Sequence, residues 1–175
     1  MLQQTLIWAF VCVAALGLCL WRPNRGRVVL GIFFIVMAIG VNVVYVLVAP
    51  DGFVKLGTDA PLLPFYRWGF EHVVAKAPAV FGLLAAAFES TVGLLLIKGG
   101  RRTAWGLIGG IVFLLAITPL GVWTLPNPIM AAALGVILWR RRTDARLLPA
   151  ASQPPAPTAS GALRMTAGAG ERVGA

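Results

Sequence analysis

The sequence predicts an all-α, polytopic membrane helix bundle with five transmembrane helices, and three observations carry that prediction. The chain of 175 residues is 59% hydrophobic but only 12% charged, about half the charge of an ordinary soluble domain. Its apolar residues fall in runs long enough, as helices, to cross a hydrocarbon core of ~30 Å. Its Lys and Arg residues collect between those runs, at places that define one side of a membrane. The first two observations exclude a water-soluble enzyme core.

Each element follows from its residues. Residues 2–21 form an uncharged run whose polar members, Gln3, Gln4 and Thr5, lie at its margin. The run lacks the basic start of a secretory signal, so this first helix is expected to be retained. Residues 28–49 are uncharged, with Asn42 the most polar, and residues 78–97 carry one charge, Glu89, near their middle. Thr103 to Trp139 holds no charge at all. As one helix it would reach ~55 Å, far beyond a bilayer core. Pro119, Gly121, Pro126 and Pro128 divide it, which predicts helices over about 103–120 and 126–139.

The one long outer connection is 51–77. Its second half, 64–77, mixes bulky apolar and charged residues and predicts a short helix on the membrane surface, with Tyr66, Trp68 and His72 as interfacial residues. A packed cap over the helix ends is the expected role; a substrate-gating lid is the alternative. Residues 143–175 are rich in Ala, Pro, Gly, Ser and Thr and predict a disordered cytoplasmic tail.

Charge sets the orientation. Arg22, Arg25 and Arg27 follow the first helix, Lys98, Arg101 and Arg102 the third, and Arg140, Arg141, Arg142 and Arg146 the fifth. Five crossings put all three clusters on one side, which the positive-inside rule makes cytoplasmic. The N-terminus is then outside and the C-terminus inside. The formal net charge of +9 is therefore largely topological, and its expected partners are anionic lipid headgroups, not nucleic acid.

Much chemistry is excluded by composition. A lone histidine, His72, cannot supply a zinc set, and no phosphate-binding loop, nucleophile elbow or paired-histidine zinc motif is present. Cys12 and Cys19 lie seven residues apart on one helix, ~10 Å by rise, too far for a disulfide. They read as small packing residues. What remains is Glu89. A carboxylate near the midplane costs at least ~2.5–3.5 kcal/mol, so it must face the interior, be paired, or hold a proton. Ser90 and Thr91 adjoin it, and Asn42 and Thr118 fall about one helical turn away in depth. These five residues form the candidate intramembrane polar site, with no metal and no catalytic group assigned. Glu89 is expected either to fix helix register by hydrogen bonding or to bind a proton or ligand in an outward cavity.

The stretch Glu89-x-x-x-Gly93-x-x-Leu96-x-x-Gly99-x-Arg101-Arg102-x-Ala104, together with Arg27 through Phe34 and on to Gly40, resembles the DoxX/DoxD-like family of small bacterial membrane proteins. The resemblance covers roughly residues 27–139 and implies a protein of the bacterial plasma (inner) membrane, with a four-helix core to which the first helix and the tail are additions. Family members often carry a Lys shortly after the Gly matched by Gly40; Val41 and Asn42 stand there here, which leaves Glu89 without an expected ion pair. Some relatives are linked to thiosulfate or quinone oxidation and others to oxidative-stress complexes, so quinone is the one cofactor the resemblance brings in. The chain itself carries no redox motif. The expected function is a non-enzymatic accessory or scaffold subunit with a protein partner in a membrane complex. The rival is a small transporter or lipid- or quinone-binding protein. A cavity reaching Glu89 would favour the rival, and a densely packed interior the scaffold.

Overall fold

A computed structural model describes residues 2–151, with side chains described for residues 3–143. The chain divides into a compact unit, Met1–Arg140, and a second, Arg141–Ala175; the packing below is that of the first. All regular structure among the described residues is helical. The α-helices are α1 (Leu2–Trp21), α2 (Pro23–Met37), α3 (Val44–Val48), α4 (Pro50–Thr58), α5 (Pro64–His72), α6 (Pro78–Lys98), α7 (Thr103–Ile117) and α8 (Asn127–Ala151). Five helical stretches are long and apolar enough to cross a membrane: Gln3–Trp21, Pro23–Val48, Pro78–Lys98, Thr103–Leu120 and Val122–Thr143.

The second stretch begins at Pro23, earlier than its uncharged run suggests. Proline suits the first helical position because its missing N–H has no partner there anyway. Arg25 and Arg27 therefore ride on the first turns of α2. Arg27 reaches across to α6, where its Nη1 donates to the carbonyls of Leu96 and, at 3.2 Å, Ile97. These are end-of-helix carbonyls with no intrahelical donor, at the negative pole of α6, so a guanidinium is the fitting cap. The turn that follows runs through Gly99 and Gly100, both at φ 76°, a backbone conformation that strains other residues.

α2 and α3 are not one regular α-helix. Ala38–Val43 between them is a π-helical segment, and it contains Asn42. The interior is held by close helix crossings. A Cβ on Gly93 would lie 2.6 Å from the carbonyl oxygen of Gly31, and one on Gly31 would lie 2.9 Å from that of Gly93, so α2 and α6 touch backbone to backbone. Gly106 and Gly110 likewise face neighbours, whereas Gly135 has open space. Around these crossings Leu30, Phe34, Leu96, Leu107, Met130 and Leu134 are buried. Cys12 and Cys19 are buried and unpaired. Leu6, Phe10, Val36, Leu84 and Val112, among others, point outward, as lipid-facing residues must.

At the end opposite Arg27, α4 and α5 pack on each other, with the Phe53 and Phe70 rings 6.4 Å apart. This is the cap end. α5 is the short helix expected over 64–77. α4 is an addition: Pro50 opens it and Asp51 occupies its first turn, favourable at the positive pole of a helix. α8 runs on to Ala151, into the stretch read as disordered; residues 152–175 of that stretch lie outside the described residues.

Candidate intramembrane site

The site is built on three elements. α6 presents Phe81, Ala85 and Glu89 at four-residue spacing, one face of the helix. Glu89 lies eleven residues into the helix, ~16 Å from its first residue, which places it near the middle of a bilayer. It is 6% exposed. The π segment brings Asn42, 8% exposed, to face it, and Asn42 Nδ2 donates to Glu89 Oε2 at 2.6 Å. A π turn holds one residue more than an α turn and rotates the side chains beyond it, and such turns recur at functional sites. α7, antiparallel to α6, contributes Phe113 and Ile117.

These residues line a cavity of about 220 Å³ that extends from Glu89 toward the cap end. Five aromatic rings surround it: Phe53 of α4, Phe70 of α5, Phe81 of α6, Phe113 of α7, and Trp123 beyond them. Glu89 is the one ionisable side chain in its lining, and no Lys, Arg or His belongs to it. Two wider hollows adjoin it at the cap end. They share Leu56 and Trp123 with the cavity and are lined also by Gln4 and Tyr45, one of them additionally by Lys55 and Asp59. The cavity thus has an apolar body, a polar inner end and a mixed polar vestibule.

Of the five polar residues expected to gather in the membrane, Glu89 and Asn42 come together. Thr118 does not reach them: its hydroxyl donates to Leu114 O at 2.7 Å, four residues back on its own helix, and its carbonyl accepts from Thr124 Oγ1 at 2.7 Å. Thr91 is exposed on another face, bonded to Ala87 O at 2.8 Å. It lines a groove at the basic end with Lys98, Arg101 and Arg102. Ser90 is half-buried beside Glu89 and does not line the cavity. Among the interfacial residues, Trp68 and His72 stack at 5.4 Å and are both exposed. Tyr66 turns inward, and its hydroxyl donates to Ala116 O at 2.6 Å, fastening the cap to α7.

The aromatic ring set was not legible in the sequence, nor was the Trp8–Asn127 pair. Trp8 Nε1 donates to Asn127 Oδ1 at 2.8 Å across 119 residues, and Asn127 is 2% exposed. Among the described residues no group of His, Cys, Asp and Glu could hold a metal. Fold and site together define a helical membrane protein with a buried acid–amide pair closing an aromatic cavity. Comparison with protein-family models, with curated proteins and with solved structures yields no match.

Proposed function

We propose that this chain is a small membrane-embedded binding protein, a transporter or a lipid- or quinone-type carrier, whose site is the cavity ending at Glu89 and Asn42. One observation carries this: a polar pair at the midplane that borders an aromatic cavity instead of being sealed in packed side chains. An intramembrane acid that only fixed helix register would need no such space beside it. Pockets for drug-sized ligands start at ~300 Å³, so this one suits a single ring, a quinone headgroup or a short apolar chain. The wider vestibule at Trp123 would take the remainder of a longer molecule. The accessory-subunit reading shares the Asn42–Glu89 bond but gives the cavity no role.

The Glu89 to Ala104 resemblance supports a DoxX-like protein of a bacterial inner membrane. The three basic clusters support a cytoplasmic basic end and an outward-facing cap. The groove at Lys98, Arg101 and Arg102 offers anionic headgroups a cationic rim, with Leu94 and Leu95 alongside for an acyl chain.

The test is extraction of small lipophiles from the purified protein, quantified by mass spectrometry for wild type and for Ala85→Phe, which adds a ring inside the cavity. A compound near stoichiometric with wild type and depleted several-fold in a folded Ala85→Phe supports the binding function. The same lipophiles in both proteins, at bulk-lipid proportions, contradict it.

A further inference from the structure

We infer that the cavity selects a lipophilic organic cation, an amine or quaternary ammonium carried on a small apolar body. This rests on the cavity being a binding site and assigns the chemistry of its occupant.

Three observations point the same way. The lining contains one acid and no base, so nothing inside neutralises Glu89 by charge; its one partner, Asn42, donates a neutral amide hydrogen to Oε2. Five aromatic rings surround the space before the acid, and ring faces attract cations, most strongly where water is excluded. The vestibule is lined by Tyr45, by one cationic side chain, Lys55, and by one acidic one, Asp59, four residues further along the chain, so its lining carries no net positive charge. A neutral apolar ligand would leave the acid unused. An anion would be brought against a carboxylate with no cation to offset it. A quaternary ammonium meets rings along its path and a counter-charge at its end.

The experiment uses the full chain in zwitterionic lipid nanodiscs with an aryl diazirine photolabel, the adducts being mapped by peptide mass spectrometry. Benzyltrimethylammonium and its uncharged isostere neopentylbenzene compete for the label at equal bilayer concentration. The cation is expected to protect the Phe81–Glu89 segment at a concentration at least ~10-fold lower than the isostere. Glu89→Gln, which keeps an acceptor for Asn42, is expected to be labelled still but to lose that preference. Equal protection by both compounds, or a preference surviving in Glu89→Gln, overturns the cation assignment and leaves the binding function standing. Absence of any label in the segment overturns both.

Discussion

Replacing Asn42 by Leu, nearly the same shape, removes the amide that donates to Glu89 Oε2 at 2.6 Å. The cost can be bounded from the structure. Interhelical hydrogen bonds in membranes average ~0.6 kcal/mol and reach ~1.7. Leaving a buried partner unsatisfied costs ~1–3 kcal/mol. Both residues are under a tenth exposed and the bond is short, so the upper part of these ranges applies: Asn42→Leu should lose about 2 kcal/mol. Glu89→Met alone strands Asn42 and should lose about 1 kcal/mol. The double variant removes both polar groups and should be no worse than either single one, because an apolar pair leaves nothing unsatisfied. The assay is reversible unfolding in mixed micelles by SDS titration. A double-mutant cycle should give a coupling of about 2 kcal/mol. Additivity within ~0.5 kcal/mol, with all variants folded, would refute the claim that these side chains are bonded.

Further outcomes are expected. Gly93→Val places side-chain atoms against the Gly31 carbonyl and should lose ~3 kcal/mol or fail to fold, whereas Gly135→Ala meets nothing within 4 Å and should be neutral or stabilising by up to ~1 kcal/mol; the same SDS titration measures both. Tyr66→Phe deletes the bond to Ala116 O and should cost ~0.5–1.5 kcal/mol, seen as faster amide exchange confined to residues 64–76. Arg27→Met removes the cap on Leu96 and Ile97 and should cost ~0.3–1 kcal/mol, with faster exchange at the α6–α7 turn. Arg101→Gln with Arg102→Gln should lower the phosphatidylglycerol retained on purification by native mass spectrometry, leaving zwitterionic lipid unchanged.

What the sequence revealed and what it hid have physical causes. The five crossings were legible because a bilayer demands long charge-free runs, and the prolines between Ile117 and Asn127 punctuate the last two. Glu89 was legible because it is the single charge in its run. Asn42 was legible as a polar residue at similar depth, but not as a bonded partner, since the π turn that brings it round leaves no mark on an apolar periodicity. α4 was hidden because Gly52 and Gly57 are weak helix formers; Gly57 lies directly beneath the Phe70 ring. The aromatic lining was hidden for a more general reason. In a membrane protein both the lipid face and the core face are apolar, so nothing in the pattern separates Phe81, which lines the cavity, from Leu84, which points outward.

The most direct test of the cavity is where an apolar photolabel attaches in the bilayer-embedded wild-type protein. Adducts concentrated on Phe81, Ala85, Glu89 and Phe113, and depleted in Ala85→Phe, are the expected result. Adducts spread over outward residues such as Leu84 and Val112, unchanged by that substitution, would contradict a ligand site at Glu89.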